Sequence, residues 1–174
     1  VLGFMLFDPT PPPCAPAVVV GSARVPCWMW QVLPPERKTH IPQAELLAII
    51  VVYWTLGWRL RGRPVVHWCD NTGAIAAAIG GGGARFPGAS VLTCLLHLVL
   101  LHPRCAVHFV WVPSDANPAD WPTRPDQVHM VPAWAVWAPI AFPPAALCRS
   151  LMDPAAVSTW AAVLREWSVQ PPAR

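Results

Sequence analysis

Residues 65–71 read Val-Val-His-Trp-Cys-Asp-Asn, a short apolar run that stops on two turn-forming polar residues. A run this short, bounded by Gly62 before it and by Asp70-Asn71 after it, has the length of a buried strand rather than a helix. Thr72 to Ile79 follows at once and is rich in alanine, so the chain passes from strand to helix within two residues. Upstream, apolar residues at 46, 47, 50, 53, 54 and 57 recur at helical spacing. Pro42 suits the first turn of that helix, Glu45 sits in that first turn, and Gly62 ends it. Downstream, Ala89 to Leu101 predicts another helix and Ala106 to Val112 another strand, terminated by Pro113-Ser114. Asn117-Pro118 then opens a further helix, with Asn as its cap and Pro at its first position.

The N-terminal third has a different rhythm. Val1 to Phe7 and Ala17 to Val20 read as strands, separated by the breaker Pro9 to Pro13, with a further strand expected over Val25 to Val32. Antiparallel pairing joins such neighbours with the shortest connections. A charged loop, Pro34 to Thr39, leads into the first long helix. Strands first, then alternating helix and strand, predict an α/β domain with a mixed sheet and helices packed on it. The four glycines Gly80 to Gly83 form a connector and lack the Lys-Ser/Thr of a phosphate-binding loop.

After Arg124 the pattern changes. Residues 125–150 are rich in proline and tryptophan without a clean period, and Asp153-Pro154 opens an amphipathic helix running to about Trp167. The chain is therefore expected to hold one domain over residues 1–124 and a C-terminal extension over 125–174 with a terminal helix. A length of 174 residues agrees with a single core.

Composition narrows the function classes. With 55% apolar residues and eleven tryptophans, a membrane protein is the first class to exclude. The most apolar stretch, Val128 to Leu147, is broken by Pro132, Pro139, Pro143 and Pro144, and Leu46 to Leu60 is too short and ends among arginines. Val1 to Phe7 has no basic region before it, so no secretory signal is read there. An intracellular protein, cytoplasmic or nuclear, with no membrane partner is expected. The net charge of +3 rests on eleven arginines and one lysine, which permits nucleic-acid binding without requiring it. Six cysteines without a C-x-x-C pair exclude zinc-ribbon spacing and read mostly as buried thiols.

Only nine acids occur in the whole chain, so the position of each carboxylate carries information. Two cations about 3.5 to 4 Å apart can hold an attacking water and a leaving oxygen on one phosphate, and magnesium prefers oxygen ligands. Such a site needs carboxylates gathered from several elements. Glu45 near a helix start, Asp70 at a strand end and Asp120 in a late helix are the candidates. Each has an ordinary reading as well: an amphipathic helix for Glu45, turn chemistry for Asp70, a capped helix start for Asp120.

Taken in order, Gln43-Ala44-Glu45-Leu46-Leu47-Ala48, Asp70-Asn71, Trp111-Val112-Pro113-Ser114 and Asn117-Pro118-Ala119-Asp120-Trp121-Pro122-Thr123-Arg124 resemble the ribonuclease H domain of reverse-transcriptase polyproteins, as found in retroelements and hepadnavirus-type polymerases. The resemblance implies a five-stranded mixed sheet with flanking helices. It implies an endonuclease that hydrolyses the RNA strand of RNA-DNA hybrids with two Mg²⁺ or Mn²⁺ ions, next to a reverse-transcriptase domain upstream in the same polyprotein. Glu45, Asp70 and Asp120 would be its catalytic and metal-binding residues.

The family also uses an aspartate at the end of its first strand, and two placements stay open here. If Val1 to Phe7 is that strand, Asp8 is the further metal ligand. If Val1 to Pro9 is the second strand instead, the first strand and its aspartate are missing, and the neighbouring strands are left with unpaired backbone. Pro113-Ser114 stands where cellular members carry a histidine loop, and His129 lies downstream as a substitute.

Arg59, Arg61 and Arg63 alternate around Gly62 and are candidates for phosphate contacts, as are Asn71, Ser114 and Asn117 within the motifs. For the arginines the alternative is a helix end that favours cations. Trp28 and Trp30 are more readily core residues than stacking platforms. Three rivals to a ribonuclease H-like enzyme remain: the same fold without chemistry as a nucleic-acid or protein-binding remnant, a recombinase- or integrase-type nuclease acting on DNA, and a proline- and tryptophan-rich interaction protein.

Overall fold

The computed structural model describes residues 1–32, 41–81, 87–101, 103–150 and 162. The expected charged loop at 34–39, the second half of the glycine run and the expected helix over 153–167, residue 162 apart, lie outside the described residues.

The chain is mixed α/β. Strand β1 (Leu2–Phe7) pairs antiparallel with β2 (Val18–Ala23), Leu2 opposite Ala23 and Phe7 opposite Val18. Residues 25–32, expected as a strand, instead form helix α1 (Cys27–Val32). Pro26 fixes a helical start, its carbonyl accepts from the Met29 N–H, and the turn points Met29 into the core with full burial. Helix α2 (Ile41–Leu60) is followed by β3 (Pro64–Cys69), α3 (Thr72–Gly80), α4 (Pro87–Leu101) and β4 (Ala106–Trp111). Strands β3 and β4 are parallel and in register from Pro64 opposite Ala106 to Cys69 opposite Trp111, with α3 and α4 as the crossover.

The apolar positions 46, 47, 50, 53, 54 and 57 are all buried, as their spacing predicts. Leu56, Leu60, Ile49 and Val51 are buried too, because α2 is covered from more than one side: α4 brings Leu92, Leu96 and Val99 against it, and β1 brings Leu2 and Phe4. The helix ends where Gly62 adopts φ +70°, a left-handed conformation natural to glycine, and its N–H is taken by the Pro103 carbonyl.

The late helix expected from Asn117 is a short 3-10 helix of about two turns over Pro118–Thr123. Pro122 has no N–H to continue an α-helical ladder, so the segment tightens and stops at Arg124. Beyond it the chain returns to the same core. Strand β5 (Val136–Trp137) pairs parallel with β2, the Ala138 N–H bonds the Val20 carbonyl, and helix α5 (Ala145–Ser150) buries Leu147 and Cys148.

Among the described residues the strands form two sheets, not one of five: β1-β2-β5, with β2 in the middle, and β3-β4. Both lie over α2. All six cysteines are free thiols; Cys69 and Cys148 are buried and Cys105 half-buried, but Cys14, Cys27 and Cys94 are exposed, so burial is less general than expected.

Candidate functional site

Between β1 and β3 runs a groove of about 930 Å³ floored by α2 through Glu45, Ala48, Ile49 and Val52. The three carboxylates singled out in the sequence line it, each from a different element. Glu45 comes from the second turn of α2 rather than the expected first, because the helix already begins at Ile41; Asp70 directly follows β3, and Asp120 belongs to the 3-10 segment that lies on β1.

Local chemistry fixes each position. Asp70 sits where Cys69 ends the strand and Asn71 caps α3: the Asn71 side-chain oxygen accepts from the Ala74 N–H at 2.9 Å, closing the strand-to-helix turn. The Trp111 indole N–H reaches the Asp70 carbonyl at 3.2 Å and ties that turn to the end of β4. Asn117, buried, caps its own turn by accepting from the Ala119 N–H at 3.1 Å. Asp120 is further held by Thr123, whose hydroxyl donates to its carbonyl at 2.8 Å, and by an ion pair with Arg124 one turn later.

The carboxylates feel one another. Burial raises the pKa of Glu45, and the Asp70 and Asp120 charges raise it further. Burial likewise raises Asp120, Arg124 opposes it, and Asp70 adds to it. Ligand atoms of Glu45, Cys69 and Asp70 lie within 4.8 Å of one another, a group able to hold a metal ion. Cys69 was read in the sequence only as a buried thiol. The period of two along β3 places Val65, His67 and Cys69 on one face, and that alternation is the signal that sets Cys69 beside Asp70 in the groove. Burial pushes its thiol pKa up, so it stays protonated, and a soft sulfur is a poor partner for hard cations. Asp120, paired with Arg124, lines the same groove but is not in that group; the carboxylate oxygens of Glu45 and Asp70 are the ligands that suit a cation preferring oxygen.

Asp8 stands apart from this group. Its buried carboxylate accepts from Arg63 Nη1 and Nη2, both at 2.6 Å, and from Arg59 at 3.1 and 3.3 Å, while its backbone N–H bonds Ala17. The Arg63 hydrogen bonds are the main reason its pKa falls to about 2; burial opposes them and Arg59 adds to them. Arg59 is buried and also donates to the Pro16 carbonyl. Of the arginines expected at phosphates, Arg59 and Arg63 are therefore engaged by Asp8, and Arg61 is exposed. Asn71 and Asn117 use their side-chain oxygens as caps, while Ser114 and His129 are exposed. Trp28 packs partly buried against the core.

A second feature escaped the sequence reading. The Tyr53 hydroxyl and His67 Nδ1 are 3.1 Å apart, and the His67 ring lies between those of Tyr53 and Phe109, at centroid distances of 5.6 and 5.3 Å. Burial lowers the His67 pKa to about 4, so the imidazole is neutral, and its tautomer sets which partner donates in the hydrogen bond with Tyr53.

No described helix is long and apolar enough to cross a membrane. No family model, curated protein or solved structure matches the chain.

Proposed function

We propose that this chain is a ribonuclease H-like endonuclease domain of a retroelement-type reverse transcriptase, hydrolysing the RNA strand of RNA-DNA hybrids. The observation that carries this reading is the meeting of Glu45, Asp70 and Asp120, from a helix, a strand end and a separate turn, in one groove. Helix propensity and turn chemistry account for each acid singly, but give no reason for three of the nine acids in the chain to converge.

In this reading Glu45, Asp70 and Asp120 hold two Mg²⁺ or Mn²⁺ ions. When bound, such a pair polarises the scissile phosphate and stabilises the charge on the leaving oxygen. Burial is the main reason Glu45 is raised in the free protein, and the repulsion from Asp70 and Asp120 that adds to it is what a cation would relieve. Exposed Arg61 and Ser114 are available to the duplex backbone, and Arg124, paired with Asp120, would be free to reach a phosphate if a cation took its place. Choice of a hybrid rests on the wide minor groove and its 2′-hydroxyls. In this reading the two sheets among the described residues correspond in part to the mixed sheet of that family, and the polymerase domain lies upstream in the same polyprotein, in the cytoplasm or nucleus.

A second reading, a binding remnant without catalysis, is favoured by one observation: Asp120, Arg59 and Arg63 already have partners of opposite charge. Cleavage of an end-labelled RNA-DNA hybrid with Mn²⁺ separates the two. The nuclease reading requires strand scission that Asp70→Asn removes. Hybrid binding by both proteins with no scission by either sustains the remnant instead.

A further inference from the structure

Cys69 is a donor in the groove that hydrolysis with magnesium-type ions leaves unused. It is the last residue of β3 and lines the groove with only 6% of its surface exposed. Its sulfur and one carboxylate oxygen each from Glu45 and Asp70 all lie within 4.8 Å of one another. The surroundings suit a negatively charged sulfur. The Asn71 N–H donates to Cys69 Sγ at 3.4 Å, the kind of outer hydrogen bond that steadies a metal-bound thiolate. Helix α3, nine residues long, begins at Thr72, and its N-terminal end favours an anion just ahead of it. The Trp111 indole holds the Asp70 carbonyl, so the sulfur and the Asp70 carboxylate ride on one tied turn, facing Glu45 on α2.

One thiol and two carboxylates make a donor set of mixed softness. Magnesium prefers an octahedron of oxygens and has no use for the sulfur. Zinc takes four ligands in a tetrahedron, with sulfur at about 2.3 Å and carboxylate oxygen at about 2.0 to 2.2 Å. Ligand atoms on such a centre stand roughly 3.5 Å apart, so a group already within 4.8 Å closes on the ion by little more than about an ångström. Asp120 lies outside the group and is paired with Arg124, which leaves the fourth position to water.

We propose that Glu45, Cys69 and Asp70 form a site for a single zinc ion, and that zinc held there switches the groove off. The Cys69 thiol gives its proton to solvent as the zinc-sulfur bond forms. Zinc outranks manganese at a shared set of donors, and the thiolate widens that preference. With Glu45 and Asp70 drawn onto one four-coordinate ion, they are withdrawn from a pair of oxygen-loving ions. This inhibitory consequence rests on the nuclease reading; the binding itself does not.

The test uses Co²⁺ as the probe, because a cobalt-thiolate bond gives an ultraviolet charge-transfer band that carboxylates do not, and Zn²⁺ abolishes the band by displacing cobalt. The exposed thiols are first removed together by Cys14→Ser, Cys27→Ser and Cys94→Ser. In that background the band is expected to saturate at one ion per chain and to vanish in Cys69→Ser. Glu45→Gln and Asp70→Asn should each weaken Zn²⁺ binding by about tenfold or more. Far-ultraviolet circular dichroism reports folding of every variant. No band in the folded background protein, a band that survives Cys69→Ser, or full Zn²⁺ affinity in both carboxylate variants overturns the site. Hybrid cleavage that continues in a zinc-loaded chain overturns the inhibition, whereas a band in a chain that never cuts a hybrid upholds the site and removes only the nuclease reading.

Discussion

Gly3 lies directly against Ala119: a Cβ added at residue 3 would stand 2.8 Å from the Ala119 carbonyl oxygen and 2.4 Å from the Thr123 methyl. Real Cβ atoms do not approach backbone oxygen so closely, and besides the Thr123 methyl the obstacle includes main chain, which cannot rotate away. The absence of a side chain on β1 is what lets the 118–123 turn settle on the strand and carry Asp120 into the groove.

Gly3→Ala is therefore expected to push that turn away while leaving the β1-β2 ladder paired, since the register involves main-chain atoms only. On the nuclease reading, cleavage should fall by about tenfold or more, the order of loss from misplacing a reacting group by an ångström. Hybrid cleavage beside a far-ultraviolet circular dichroism spectrum makes the check. An active Gly3→Ala protein would mean that the turn does not position Asp120 for the reaction.

Asp8 offers a separate measurement, of stability. Asp8→Ala leaves the buried Arg59 guanidinium without its carboxylate, and breaking a buried pair in this way costs about 3 kcal/mol or more. Urea unfolding should show that loss. Arg61→Ala, at an exposed position outside the pair, should leave stability within about 0.5 kcal/mol. Asp8 also sets an acid window. Its pKa is about 2 in the folded chain and near 3.8 unfolded, so its contribution is complete above the unfolded value and is lost as pH falls toward 2.

His67 acts in a higher window. Its folded pKa of about 4 lies below the ordinary 6.5, so between these values the unfolded chain binds the proton and the folded chain does not. Stability from this site is complete above pH 6.5 and declines as pH falls to 4, by roughly 3 kcal/mol at most. His67→Phe, which keeps the ring between Tyr53 and Phe109, should flatten the stability profile between pH 6.5 and 4 and leave the Asp8 window in place. A profile unchanged by His67→Phe would show that another group governs that range.

The elements legible in the sequence were those whose burial follows a simple period. The stripe at 46, 47, 50, 53, 54 and 57 marks α2, and Gly62 marks its end. The strand over 65–69 was bounded by its own turn chemistry, since Asn71 caps the next helix with its side chain. Residues 25–32 misled because Val25, Trp28, Trp30 and Val32 favour strands locally, whereas burial of Met29 against the core and the start set by Pro26 favour a helix. The turn at 118–123 differed from an α-helix through one residue, Pro122. Contacts across the chain left no local mark: nothing near Asp8 announces Arg59 and Arg63, fifty-one and fifty-five residues away, and nothing near Tyr53 announces His67. The three carboxylates stand in short, ordered motifs, whereas the place of Cys69 beside Glu45 depends on how β3 lies on α2 and leaves no local mark.

Asp70→Asn tests the metal reading without relying on catalysis. Asp70 is among the charges that raise Glu45 and Asp120, so neutralising it relieves repulsion in the metal-free groove and should leave stability unchanged or slightly increased. The same change removes an anionic oxygen from the only group of potential ligands found among the described residues. Melting temperature measured with and without millimolar Mn²⁺ reads both effects. The unaltered chain should be stabilised by the ion by RT ln(1 + [L]/Kd), about 2.7 kcal/mol at a hundredfold excess over Kd, and Asp70→Asn should lose most of that increment. Cys69→Ser, which keeps both carboxylates, should retain it, because the protonated thiol contributes little to binding a hard cation. An ion-dependent rise that survives Asp70→Asn would place the cation elsewhere and remove the groove from the metal chemistry. A rise lost in Cys69→Ser but kept in Asp70→Asn would indicate a thiolate site for a softer metal and would argue against phosphodiester hydrolysis by a magnesium-type centre.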